Sequence, residues 1–385
     1  MWRRVELHNF RSIEHVKVDL APFTLLVGPN GSGKSNFVDA IAFAGEATHD
    51  AEEAIAARGG FTLVRRWMPH PADSFRISVR AANASADLDG KYWQHVLRLA
   101  ERPPQDWSFA AEGVAIPGTD GKPRIWRRDD RKPPIVLDAE LEVPFTPTSS
   151  VFLTLRQKYG EETFAPLMRV RRFRFSPDLM HEPSSLDRPS LAANGSNLSA
   201  AVRDVIKDSA AADRLRRTLT AILPGTTGIT VDEAGGFGIL GLQQWVGESS
   251  ASFRPKQLSD GTLRVLATVV AVEQMQKDQL LIIEEPETGL HPGAAAALFD
   301  VLKDAAEKGS VLITTHSPEL LDLAEDEEIL VCESRDGTTR IGPLAESQRA
   351  LVRDGLFSIS ELMRSSPLRI EGTDAPTLDP RTLHS

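Results

Sequence analysis

The stretch FTLLVGPNGSGKSNFVDAIAFAG, Phe23 to Gly45, limits the folds open to this chain more than any other. Its short uninterrupted apolar run predicts a strand buried on both faces, a feature of parallel sheets. Phe37, Ala40, Ile41 and Ala44 follow at i, i+3, i+4 and i+7, which predicts a helix with one apolar stripe. Between them, Gly28 to Ser35 matches G-x-x-x-x-G-K-[ST] in full. Glycines let consecutive N–H groups turn inward toward phosphate oxygens, and the helix start adds partial positive charge. Asn30, Gly31, Ser32, Gly33 and Asn36 would line this cradle. Lys34 is expected on the β- and γ-phosphates, and the Ser35 hydroxyl on Mg²⁺. The bland alternative, a chance match in a loop, fits poorly with a buried strand before it and an amphipathic helix after it.

A nucleotide site needs carboxylates, and LLIIEEPETGLHP, Leu280 to Pro292, supplies them. Four apolar residues carry the chain through a sheet and deliver Glu284 and Glu285 at the end where ligands bind. Glu284 is expected to hold the metal and Glu285 to orient and deprotonate the attacking water. A solvated acidic turn is the plainer reading of the pair alone. VLITTHS sets His316 beyond another buried strand, as a γ-phosphate contact or as a helix cap. In QLSDGTLR, Ser259 and Gly261 open a long helical pattern, where they suit a second anion site or an ordinary N-cap.

Composition narrows the classes. Of 385 residues, 41% are hydrophobic, enough for a sizeable core, and the formal net charge of −10 argues against a surface generally coated for nucleic acid. Cys332 is the single cysteine, so no internal disulfide forms and a reducing, cytoplasmic setting is expected. The opening residues lack the apolar core of a signal peptide, and no apolar run reaches the ~18 residues of a membrane span.

Along the chain, RRVELHNF and HVKVDL alternate as half-buried antiparallel strands. FTLVRRW, SFRISVRAA, KYWQHVLRLA, WSFAAEGVAI and PRIWRRDD read as short strands of an antiparallel lobe, with WRRDDRK at a hairpin tip. AAVRDVIKDSAAADRLRRTLTAIL reads as helix and GITVDEAGGFGILGLQQW as strand and turn. GAAAALFDVLKDAAEKG reads as a helix with a Gly309 C-cap, and Glu328 to Val331 as a buried strand with Cys332 just after it. The expected division is an N-terminal head segment 1–58, an antiparallel β lobe 59–150, a helical and linker region 151–250, a C-terminal head segment 251–372, and a flexible tail 373–385. RVRRFRF, Arg169 to Phe175, could track a nucleic-acid backbone, but a solvated strand face is the simpler account. No Cys/His group has zinc spacing.

Taken together, LHNFRSI, GPNGSGKSNFVDAI, LSDGTLRVLA, IIEEPETGLHPGA and ITTHSPELL resemble, in order, the RecF, SMC and OLD branch of the ABC-class ATPases. The resemblance covers both ends of the chain and is loose between about Gly59 and Ser150. It implies an α/β fold: a P-loop head of the ABC type with a mixed, largely parallel sheet, an antiparallel β lobe and a helical insertion. It further implies ATP and Mg²⁺ as cofactors and an ATP-dependent homodimer in which Ser259 and Gly261 act on the nucleotide of the opposite copy. Glu287 to His291 would line the dimer seam, although His291 before Pro292 also suits a plain helix cap. Arg11 would lie near the phosphates, against the simple reading of a surface arginine. Gln157 is the candidate coupling glutamine. The family usually has Asp where Glu284 stands.

The resemblance points to DNA maintenance or anti-phage defence, with DNA and a separate nuclease as expected partners, because too little chain follows the last motif strand for a fused TOPRIM nuclease. Two rivals are the motor subunit of a membrane transporter, disfavoured by EEPETGLHP, and a scaffold that binds ATP without turnover, disfavoured by intact Lys34, Ser35 and Glu285.

Overall fold

In the computed structural model the described residues are 1–66, 71–82, 92–103, 105–118, 123–129 and 150–372. The expected tail 373–385, and part of the expected lobe with the end of WRRDDRK, lie outside them. The chain forms two compact units, Met1–Val170 with Ala324–Ser385, and Arg171–Leu323.

In the first unit the strands run, across the sheet, Pro123–Asp129, Gln105–Pro117, Tyr92–Arg102, Ser74–Ala82, Trp2–Phe10, Ile13–Asp19, Thr338–Pro343, Ile329–Arg335 and Phe23–Val27. The first six are antiparallel neighbours, as alternation predicts: Val5 faces Val18 and Leu7 faces Val16, all four buried. Phe23–Val27 is buried at every position and pairs in parallel with Ile329–Arg335. Helix Lys34–Glu46 packs on this sheet. It is buried from Phe37 through Gly45, so its contact face is broader than the single stripe the spacing predicts. Phe75 gathers the core here, with ring centroids 5.7 Å from Phe10, 5.5 Å from Phe43 and 5.6 Å from Phe61.

Two expectations fail in this unit. FTLVRRW is not a strand: Phe61–Val64 is one helical turn, because Phe61 and Val64 point inward at i, i+3 while Leu63 stays exposed. Cys332 lies within strand Ile329–Arg335, not after it, and is fully buried.

The second unit pairs Leu280–Glu284 in parallel with Ser310–Thr315, with Val170–Phe173 on the other side of Leu280–Glu284. Helices Leu198–Val205, Ser209–Ile222, Asp260–Glu273 and Pro292–Ala305 surround a core that includes Leu215, Leu219, Leu266 and Leu298. The helical stretch at Ala200 to Leu223 holds parts of two helices, the second starting where Asp208 caps it by accepting from the N–H groups of Ala210 and Ala211. The strand and turn composition after Gly228 is an antiparallel hairpin of Thr226–Ala234 and Phe237–Val246. The Pro292 helix ends at Ala305, so Gly309 is not its cap. Gly309 is required instead where a Cβ would come within 2.2 Å of the Gln279 carbonyl oxygen, as the chain turns into the next strand.

Candidate functional site

In the first unit, the loop after Phe23–Val27 turns on Gly31, at φ 75°, and Gly33, at φ 105°, both in the left-handed region. Gly33 is the N-cap of helix Lys34–Glu46 and has no side chain to satisfy the first-turn N–H groups. Asn30, Gly31 and Ser35 are exposed at this end, while Ser32 and Lys34 are buried. Lys34 Nζ donates to the carbonyls of Gly28, at 2.7 Å, and Pro29, at 3.1 Å, which keeps the ammonium folded over the loop.

The loop is pegged from behind. Asn36 Nδ2 donates to Ser12 Oγ at 2.6 Å, Ser12 Oγ meets Thr339 Oγ1 at 2.7 Å, and Thr339 Oγ1 donates to the Ser32 carbonyl at 3.1 Å. Asn36 thus faces a neighbouring strand turn. Ser12 and Thr339 are supports that motif reading missed. Ser12 could have been suspected from NFRSI; nothing local marks Thr339.

Arg11, at φ 47°, sends its guanidinium to Asp39 on the helix, Nη2 to Oδ2 2.9 Å, not to the loop backbone. Arg58 shares the same carboxylate oxygen at 3.1 Å. Gln157 is exposed on helix Val151–Tyr159.

In the second unit, register assembles the acidic half. Glu284 pairs with Thr314, so Glu285 and His316 both emerge just past the carboxyl ends of adjacent parallel strands. His316 Nε2 lies 3.5 Å from Glu285 Oε1. Glu285 sits at φ 49°, a left-handed conformation unusual for a glutamate, fixed by its N–H donating to the Thr314 carbonyl at 3.0 Å. Glu284 is buried, and Arg172 is its ion-pair partner at 2.7 Å.

Glu287 is the residue whose part in this half the sequence understated. Its Oε1 accepts from Thr315 Oγ1 at 2.6 Å and from the His316 N–H at 3.4 Å, tying the loop after Pro286 to the histidine. Burial pushes its carboxyl above the usual range, and Oε2 is buried without a hydrogen-bond partner among the described residues. Ser259 is the N-cap of Asp260–Glu273, its Oγ accepting from Thr262 N–H at 3.2 Å. Gly261 is buried against the Gly289 carbonyl, where an added Cβ would lie 2.4 Å from the oxygen. His291 caps Pro292–Ala305, its Nδ1 accepting from Gly293 N–H.

RVRRFRF is a solvated face only in part: Arg174 is exposed, while Arg171, Arg172, Phe173 and Phe175 are engaged within the unit. Arg171 stacks over Phe173 and donates to the Leu191 carbonyl, Arg172 holds Glu284, and Phe173 and Phe175 are buried. A group invisible to linear spacing also forms: ligand atoms of Glu6, His8 and His15 lie within 4.8 Å of one another. Arg76 stands opposite His8 and 3.8 Å from Glu6, whose Oε1 already meets His8 Nε2 at 2.9 Å.

Donor chemistry fits the cofactors inferred from sequence. A hydroxyl at Ser35 and a carboxylate at Glu284 are the hard oxygen donors Mg²⁺ takes, and a glycine-capped helix start with a buried lysine suits a polyphosphate. Among the described residues, no helix is long and apolar enough to cross a membrane.

Comparisons with known proteins follow the same lines. A family profile described as "AAA domain, putative AbiEii toxin, Type IV TA system" matches residues 128–322, just over half the chain, and one described as "RecF/RecN/SMC N terminal domain" matches residues 1–51. The Septu protein PtuA of Bacillus mycoides is 21% identical over 371 residues, covering 92% of this chain and 44% of PtuA. The chromosome partition protein Smc of Methanocaldococcus jannaschii is 56% identical over 41 residues, covering 10% of this chain and 4% of Smc. The chain therefore spans less than half the length of these curated relatives. Among solved structures, an Smc head bound to the C-terminal winged-helix domain of ScpA aligns with a TM-score of 0.57 at 15% identity, over 90% of this chain and 99% of that one. An Smc head bound to the C-terminal domain of ScpA derived from Pyrococcus furiosus aligns with a TM-score of 0.54 at 14% identity, over 92% and 99%. This structural likeness establishes the fold, the P-loop head of ABC-type ATPases. With its P-loop, its paired glutamates and these matches, the chain belongs to the AAA-domain family whose profile spans half of it, within the RecF-, SMC- and OLD-like branch of the ABC-class ATPases.

Proposed function

We propose that this chain binds and hydrolyses Mg-ATP, and that the bound nucleotide joins two copies of it. The observation that carries the reading is the parallel register that sets Glu285 and His316 side by side at the strand ends, 3.5 Å apart. Asn30 to Asn36 cradle phosphates through backbone N–H groups, Lys34 neutralises the β- and γ-oxygens, and Ser35 and Glu284 supply oxygen ligands to the magnesium. Glu285 takes the proton from the attacking water, and His316 holds the γ-phosphate and orients Glu285. Ser259 acts on the partner copy's nucleotide, while Gly261 keeps its helix start close to the loop after Pro286. Arg11 acts through Asp39 and is given no phosphate contact.

Loss of the γ-phosphate removes attraction between the copies, so hydrolysis works as a release switch. Likeness to PtuA along most of this chain, and to Smc heads, supports a role in DNA maintenance or phage defence with a separate effector such as a nuclease.

The test is Glu285→Gln with Mg-ATP, measured by light scattering. A doubling of mass that requires nucleotide is expected, with steady-state hydrolysis in the wild type abolished by Lys34→Ala. A monomer at every nucleotide concentration removes the role given to Ser259 between copies.

A further inference from the structure

We propose that Arg172 is a positioning residue for the magnesium carboxylate: it holds Glu284 as a neutralised ion pair, so the site takes up a divalent cation only together with the charge of a polyphosphate. The proposal rests on the reading of Glu284 as the metal ligand. Arg172 lies on Val170–Phe173, the strand beside Leu280–Glu284. Its Nε and Nη2 both converge on Glu284 Oε1, at 2.8 and 2.7 Å. The glutamate side chain is 6% exposed and the arginine 24%, so solvent screens the pair only weakly.

Two physical consequences follow. A glutamate has one more rotatable bond than the aspartate expected at this position, and two guanidinium N–H groups gripping Oε1 restrict that freedom. A guanidinium also stays charged at every accessible pH, so Glu284 is counterbalanced before any metal arrives. A dication approaching the same carboxylate meets that positive charge at close range, in a partly desolvated setting where repulsion is strong. The negative charge of a triphosphate offsets the repulsion. Arg171 cannot substitute, since its guanidinium is committed to the Leu191 carbonyl and the Phe173 ring.

The experiment uses the full chain without nucleotide, in wild-type, Arg172→Met and Arg172→Lys forms. Mn²⁺ binding is followed by electron paramagnetic resonance, and thermal unfolding is followed in EDTA and in excess Mg²⁺. Arg172→Met leaves Glu284 buried without its countercharge, so its Tm in EDTA should fall by several degrees and recover with Mg²⁺. Its Mn²⁺ affinity should rise about tenfold over wild type. Arg172→Lys, which keeps the charge, should stay near wild type in both, and Glu284→Gln added to Arg172→Met should erase the cation effects.

A loss of stability that no cation repairs, or a Mn²⁺ affinity equal to wild type, overturns the proposal. If Arg172→Met does not fold, the lysine form decides: a Mn²⁺ affinity raised as far as removal of the charge predicts would overturn a charge-based role. Because no nucleotide is present, failure here is separable from failure of the ATPase reading. A chain that binds no ATP yet shows the Mn²⁺ effect loses the ATPase reading and keeps the charge balance between Arg172 and Glu284.

Discussion

Glu285 pays for its position in backbone strain: a glutamate at φ 49° occupies a region that glycine and asparagine enter more easily. Glu285→Gly should therefore raise stability by about 1 kcal/mol while lowering hydrolysis at least ~100-fold, read by urea unfolding beside phosphate release. A variant that is both inactive and less stable would show that the side chain anchors the loop. Glu287 gives a second prediction. Burial raises its carboxyl above the ordinary value of 4.5, so the folded state holds that proton to higher pH than the unfolded state does. Stability then falls as pH rises through the window above 4.5, where the unfolded chain has already released its proton. Glu287→Gln lacks this penalty and keeps an acceptor for Thr315. Relative to wild type it should gain stability from acid toward neutral pH, and a difference that does not change with pH would refute the buried-charge account.

At the scale of elements, two helix starts with similar sequence cues are built differently. Asp260–Glu273 has a side-chain cap in Ser259, whereas Lys34–Glu46 has only Gly33. Ser259→Ala should thus cost about 1 kcal/mol of stability in the single chain, independent of nucleotide, as well as the mass doubling proposed above. Measuring both separates the cap from the action between copies. Helix Lys34–Glu46 is in turn fastened through buried Asp39, which takes Arg11 from the strand turn and Arg58 from beyond the helix. Asp39→Ala leaves two guanidinium groups facing an apolar replacement and should destabilise by about 3 kcal/mol in denaturant titration. An effect below about 0.5 kcal/mol would mean that solvent satisfies both arginines.

At the scale of the whole molecule, Cys332 reports on opening. Burial pushes its thiol up to about 11, and its carbonyl oxygen lies where a Gly28 side chain would be, 2.1 Å from an added Cβ. At pH 8 thiol labelling should be slow in the native chain and fast in urea, and Mg-ATP should slow it further by stabilising the loop packed on this strand. Rapid labelling of the folded chain would contradict that burial.

Much was legible because it is local. Strand, glycine turn and helix at Phe23 to Gly45 follow one another in sequence, and an apolar run ending in Glu284-Glu285 announces its own orientation. The ambiguous segment is also local: FTLVRRW is apolar enough for a strand, but Phe61 and Val64 are buried three positions apart, with Phe61 against Phe75, which is a helical spacing. By itself, then, the sequence determined the class of fold, the glycine turn between strand and helix, and the placing of two glutamates at a strand end, since each depends on backbone conformations set by near neighbours. Only the tertiary structure decided which groups those residues answer to. Thr339 reaches Ser32 across 307 positions and Arg172 reaches Glu284 across 112, because strand order in a sheet, not distance along the chain, sets which side chains meet.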